Sequence, residues 1–262
     1  MGGGAEAISM GLGGIAALTA VALAAGVVDA VAGGGGLITV PALVAAGLPP
    51  HLAIATNKGQ SVFGAASALA AFWRAGLVEP RRARVGFPLA FAGSIAGSFL
   101  VLLVRPEVLR PVVLVLLAGT ALVVGLRRGP PRPEARVAPA RALPVAGALA
   151  LVLGTYDGFF GPGTGTFLIA GFVALLGDTP TRASASAKVV NFASNLSALL
   201  LFAWKGAVVW KLALPMAAAQ LLGGQIGARL AVRKGDVLVR RAVLVVVLAL
   251  CAKLARDLWM AR

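Results

Sequence analysis

Among the 262 residues there is one cysteine, one histidine and one tyrosine, and only nine residues are acidic. These scarcities exclude a good deal. A lone Cys251 allows neither an internal disulfide nor a CxxC redox or zinc site. A lone His51, in a loop after Pro49-Pro50, leaves zinc hydrolysis and Ser-His-Asp catalysis without their parts, so no enzyme, metal site or cofactor is expected. Charge is sparse too. Charged residues make up 13% of the chain, against about a quarter in soluble domains. The 24 basic residues give a net charge of +15, a balance also found in nucleic-acid-binding proteins. They fall mostly in short loops between apolar runs, with no interleaved aromatics to read bases, so no nucleic acid is expected.

What is abundant is apolar: 59% of residues, with a mean hydropathy of +0.93. The lipid bilayer is therefore the expected solvent, and the fold class is all-α integral membrane, since hydrocarbon leaves the backbone no partners outside its own helix. Hydropathy places segments near 8–31, 36–47, 53–73, 85–104 and 107–126, and a second set near 143–158, 164–176, 183–204, 210–230 and 238–258. The expected organisation is a first transmembrane repeat, 1–126, a basic, proline-rich cytoplasmic linker, 127–141, and a second transmembrane repeat, 142–262. The first ten residues carry no Lys or Arg, so the chain is expected to begin with its first membrane segment rather than a cleaved signal. Segments 36–47 and 164–176 fall short of the about 20 residues a crossing needs, and each follows a glycine-rich break. They are expected to be short, broken helices, either full spans or re-entrant.

The two sets repeat one another. Asp29-Ala-Val-Ala-Gly33-Gly-Gly35-Gly matches Asp157-Gly-Phe-Phe-Gly161-Pro-Gly163-Thr at one constant offset, and Ala55-Thr-Asn-Lys58 matches Ala185-Ser-Ala-Lys188 two residues later. Gly76 falls on Gly206, Pro88 on Pro215 and Gly97 on Gly224. Basic loops alternate oppositely in the copies. Arg74, Arg81, Arg82 and Arg84 face a counterpart holding only Lys205 and Lys211, whereas Arg105 and Arg110 face Arg229, Arg233, Lys234, Arg240 and Arg241. Such a swap implies that the second copy is inverted, with loops near 74–84, 127–141 and 231–240 cytoplasmic and both termini extracytoplasmic in the cell (inner or plasma) membrane.

Inverted repeats around broken helices place a transport site between the copies. Candidate substrate-binding residues are Gly33, Gly34, Gly35 and Gly36 in the first break and Gly161, Gly163, Thr164 and Gly165 in the second. The helix after each break offers N–H groups and a positive dipole end to an anion; alternatively, the glycines only allow close helix crossing. Lys58, Asn57 and Ser61 on one helix, and Lys188, Asn191 and Asn195 on its copy, supply cations and polar groups. The recurrence Lys58, Ser61, Ala65 and Lys188, Asn191, Asn195 keeps each trio on one helix face. Intramembrane lysine is costly and points to function, although a lysine this near a helix start could snorkel to the headgroups. Asp29 and Asp157, just before the breaks, either carry a coupling proton or pair with the lysines; full pairing would leave the site polar but not positive. Gly93 with Gly97, and Gly223 with Gly227, read as helix-packing steps, and Trp73, Trp204, Trp210 and Trp259 as interfacial anchors. Lys253 and Asp257 read as an i, i+4 pair.

At these motifs the chain resembles the TauE/SafE, or sulfite exporter, family of membrane permeases. The resemblance rests on Asp29 to Pro41, Ala55-Thr-Asn-Lys58, Tyr156 to Gly165, and Ala187-Lys188 with Asn191, and covers essentially the whole chain. Within the family it is most similar to the branch of membrane transporters with undefined substrate. The resemblance implies movement of a sulfur-containing anion, such as sulfite or an organosulfonate, driven by an ion gradient with H+ or Na+ as coupling ion. The expected function is a secondary transporter working by alternating access between the repeats; a passive channel for a small anion or neutral solute stays open. The oligomeric state and the direction of transport are not readable from the sequence.

Overall fold

The computed structural model describes residues 10–105 and 137–260, with isolated positions between 107 and 119; side chains are described as far as residue 237. Within these residues the chain is helical, with no strand. The first half holds α1 (Leu12–Ala32), α2 (Gly36–Ala45), α3 (Pro50–Arg74) and α4 (Pro80–Leu103). The second holds α5 (Pro139–Phe159), α6 (Thr164–Leu176), α7 (Pro180–Trp204) and α8 (Trp210–Met260). The expected segment near 107–126 is described only at isolated positions, and the linker up to residue 136 and the side chains of Lys253, Asp257 and Trp259 lie outside what is described.

Four helices start on a proline at their first position: Pro50, Pro80, Pro139 and Pro180. Proline suits that position because the N–H it lacks would have no partner in the helix anyway. These helices begin several residues before the apolar runs that mark them in the sequence. Four (α1, α4, α5 and α7) are long and apolar enough to cross a membrane. With 10 and 13 residues, α2 and α6 reach only about 15 and 20 Å at about 1.5 Å per residue, too short to cross. The two segments expected near 210–230 and 238–258 run as one 51-residue helix whose backbone breaks at Gly235 (φ 61°, ψ −154°).

Packing joins one half to the other. The largest contacts of α1 are with α8 and those of α4 are with α5, so the first helix of each half lies on the last described helix of the other. Glycine makes both seams tight. A Cβ on Gly97 would lie 2.0 Å from the Thr155 carbonyl oxygen, and one on Gly227 would lie 2.4 Å from that of Val27. The glycine steps therefore do act in helix packing, and the backbones nearly touch.

The central helices, α3 and α7, run antiparallel. Ile54 and Ala55 at the start of α3 share a core cluster with Ala198 and Phe202 at the end of α7. Phe72 near the end of α3 clusters with Ala185 near the start of α7. One end of the bundle is tied by polar contacts. Arg82 donates to both carboxylate oxygens of Asp178 at 2.9 and 2.7 Å and meets Glu79 at 2.6 Å, while Thr181 donates through N and Oγ1 to Asp236. Burial pushes the Asp178 carboxyl above its ordinary value, outweighing the pull of Arg82. The opposite end packs Leu48 and Leu52 on Val209, Leu212 and Met216. Trp73, Trp204 and Trp210 are exposed at helix ends, as interfacial anchors require.

Candidate functional site

α1 ends at Ala32 because Gly33 adopts the left-handed conformation (φ 73°), and the break before α6 contains two more such residues, Gly161 (φ 96°) and Gly163 (φ 87°). The breaks meet backbone to backbone. A Cβ on Gly33 would fall 2.2 Å from the Gly165 carbonyl carbon, and one on Gly165 would fall 2.5 Å from the Gly33 Cα. Carbonyls left free where α1 stops are capped by the other half: Thr166 Oγ1 donates to Ala32 O and Ser184 Oγ to Ala30 O, each at 2.9 Å.

Around this crossing lies a cavity of about 20 Å³, room for about one water. It is lined by Asp29, Gly33, Gly36, Asn57, Ser61, Asp157, Gly161, Thr164, Gly165, Asn191 and Asn195. All of these belong to the residues singled out from sequence, brought together from α1, α3, α5, α7 and both breaks. Five others do not line it: Gly34, Gly35, Gly163, Lys58 and Lys188.

Both lysines are fully buried, which ends the snorkelling alternative, and each pairs with the aspartate of the other half. Lys188 Nζ donates to Asp29 Oδ2 at 2.7 Å, and Asp29 Oδ1 accepts the Gly35 N–H at 3.2 Å. Lys58 Nζ stands 3.0 Å from Asp157 Oδ1, an ion pair without hydrogen-bond alignment, and makes no hydrogen bond. The other oxygen of Asp157 accepts a short hydrogen bond from Ser194. The two lysines and two aspartates sum to zero charge. The site is therefore polar rather than positive, and one of the loop amides is already spent on Asp29.

Asn57 Oδ1 accepts from Thr39 at 2.6 Å and Gln60 at 2.8 Å, while Asn195 Nδ2 donates to Asn191 O at 2.6 Å. Asn191 Oδ1 is buried without a partner. Thr39, Gln60, Thr166, Ser184 and Ser194 escaped the sequence reading. All are small or amide side chains in apolar helices, and polarity there was the available signal. Among the described residues no cluster of His, Cys, Asp and Glu could hold a metal ion.

The site thus joins two glycine breaks, two buried lysines and their amide neighbours in one chamber of a helical membrane protein. The sulfite exporter TauE/SafE family profile matches residues 18–254. The chain belongs to that family. It is 39% identical over 245 residues to the "Probable membrane transporter protein ORF9" of Sinorhizobium sp, covering 93% of both chains. It is 39% identical over 239 residues to the "Probable membrane transporter protein YfcA" of Escherichia coli (strain K12), covering 90% of this chain and 88% of that relative. A "Probable membrane transporter protein" of Haemophilus influenzae is 36% identical over 93% of this chain and 95% of its own length. No solved structure matches. This TauE/SafE member is accordingly a multi-pass membrane transporter, as its apolar helices and its relatives' names indicate.

Proposed function

We propose that this TauE/SafE protein is a secondary transporter of a small, sulfur-containing anion such as sulfite or an organosulfonate, working by alternating access at the chamber between two inverted repeats. The observation that carries the reading is the crossing of Gly33 on Gly165, which gathers four charged side chains from both halves, three of them buried and Asp29 half-buried, around one polar cavity. Helix order supports two repeats: each half runs long, short, long, long with the break after its first helix. The antiparallel course of α3 and α7 supports their inversion.

The chamber suits an oxyanion. Asn57, Ser61, Thr164, Asn191 and Asn195 offer polar groups, and Lys58 stands behind the wall that Asp157 and Gly161 form. An ordinary anion is larger than the one-water cavity, so the chamber must widen to admit it, as an occluded state of an alternating-access cycle must. H+ or Na+ drives the cycle. Cytoplasmic placement of residues 74–84 and 231–240, with both termini outside, completes the topology; the polar ties Arg82–Asp178 and Thr181–Asp236 then seal the cytoplasmic end.

The test is flux into proteoliposomes with a panel of sulfite, thiosulfate, sulfoacetate, sulfate and a carboxylate. Saturable uptake of one of the sulfur anions that collapses with the ion gradient is expected. Linear, gradient-independent flux would make the protein a channel, and no anion flux would remove the reading.

A further inference from the structure

The two ion pairs look alike in sequence and differ in space. Lys188–Asp29 is closed: the ammonium hydrogen-bonds its carboxylate, and the second oxygen is held by Gly35 N–H. Lys58–Asp157 is open: a fully buried ammonium, 3.0 Å from its carboxylate, makes no hydrogen bond. An ammonium has three donors to satisfy, and in a buried setting each unspent one is costly. Beside it Gly161 lets the ammonium lie directly against the backbone of the second break, since a Cβ there would sit 2.8 Å from Lys58 Nζ. Asn191 Oδ1, on the cavity wall, and Gln60 Oε1 are also buried without partners, but both are acceptors and offer an anion nothing. Of the two buried ammonium groups, Lys58 is thus the one with no hydrogen bond at all, while Lys188 has one.

Charge decides what can fill it. Four charges sum to zero, so a monovalent anion entering alone leaves a net negative charge in a desolvated chamber, which is strongly unfavourable. One proton restores neutrality. Resting on the anion-transport reading above, we infer that Lys58–Asp157 is the exchangeable pair: a monovalent oxyanion takes the carboxylate's place at Lys58 Nζ while Asp157 takes up one proton from the aqueous phase. Lys188–Asp29 stays closed throughout as the clamp between the halves. The charged group facing Asp157 is Lys58 from α3, and α7 adds the Ser194 hydroxyl. The remaining charges of the chamber, Asp29 on α1 and Lys188 on α7, are bonded to each other. The described parts of α4 and α6 that surround the site, 85–103 and 164–176, carry no charged residue. Protonated Asp157 keeps a partner, since the Ser194 hydroxyl can accept from it as well as donate.

Calorimetric titration of the purified full chain with methanesulfonate, singly charged at every pH used, tests this. Repeating it in two buffers of different ionisation enthalpy counts protons. The parent should take up one proton per anion, with affinity falling about tenfold per pH unit once free Asp157 is ionised. Asp157→Asn should bind with an affinity independent of pH and without proton uptake. Asp29→Asn should lose thermal stability and keep the pH slope. A slope persisting in Asp157→Asn, a slope lost only in Asp29→Asn, or a requirement for Na+ without proton uptake overturns the inference. Parent binding with no pH dependence overturns it too, leaving anion transport standing. No binding of methanesulfonate by the parent at any pH removes this inference, while the flux panel still judges transport of other sulfur anions. Even where a variant does not fold, a parent that binds the anion without proton uptake overturns the inference.

Discussion

Lys58 and Lys188 stand at matching positions on antiparallel helices, both fully buried and both opposite an aspartate of the other half. Their surroundings differ: the Lys188 pair is hydrogen-bonded and its carboxylate braced by a backbone amide, while the Lys58 pair touches without alignment and its carboxylate is braced by the Ser194 hydroxyl. On the proposed reading the two matching pairs divide the work: one holds the halves together while the other exchanges. Which copy does which could not be read from Ala-Thr-Asn-Lys against Ala-Ser-Ala-Lys. It depends on the orientation of side chains brought from helices far apart in sequence.

The largest effect should come from destroying the crossing on which both pairs depend. Gly33→Ala puts a Cβ 2.2 Å from backbone that cannot move aside as a side chain could, at a φ of 73°. Overpacking typically costs about 1–3 kcal/mol, and left-handed backbone adds about 1–2 kcal/mol. Loss of monodisperse protein after detergent extraction is expected, checked by size-exclusion chromatography.

Breaking the closed pair comes next. Asp29→Asn leaves Lys188 buried without its counter-charge, a loss of about 3–5 kcal/mol. A marked drop in unfolding temperature should follow, and the double change Asp29→Leu with Lys188→Met should recover part of it. An unaltered melting curve for Asp29→Asn would erase the distinction between the pairs.

Ser194→Ala removes the hydroxyl that positions Asp157 and is expected to cost about 1.5–3 kcal/mol, as hydrogen bonds to charged groups do. Thermal unfolding measures it. Smallest is the effect at the polar end of the bundle. The folded pKa of Asp178 is raised above its ordinary 3.8, so the native state binds more protons than the unfolded one between those values. Its contribution to stability therefore falls as pH rises through that window, and Asp178→Asn should remove this slope from a plot of stability against pH.

Much of this was legible from residue order alone. Broken helices followed from Gly33–Gly36 and Gly161–Gly165, and α6 begins and ends where hydropathy put it, because glycines bound it on both sides. Every residue that lines the cavity lies in a glycine break, is an aspartate just before one, or shares the helix stretch of a lysine. Helix starts were less legible, since Pro50, Pro80, Pro139 and Pro180 extend helices beyond their apolar cores. The crosswise pairing of lysine and aspartate, and the retreat of both ammonium groups behind the cavity wall, lay beyond pattern reading. A spacing of helical period fixes which face a residue occupies, not which partner from another helix reaches it.

The central claim, that an anion reaches Lys58 at this crossing, is tested most directly by saturable uptake of the transported anion into proteoliposomes holding Lys58→Gln or the parent. A charge-assisted contact in a partly desolvated site is worth about 2–3 kcal/mol, so the half-saturating concentration should rise roughly 30- to 150-fold. The same half-saturating concentration in Lys58→Gln as in the parent would contradict it.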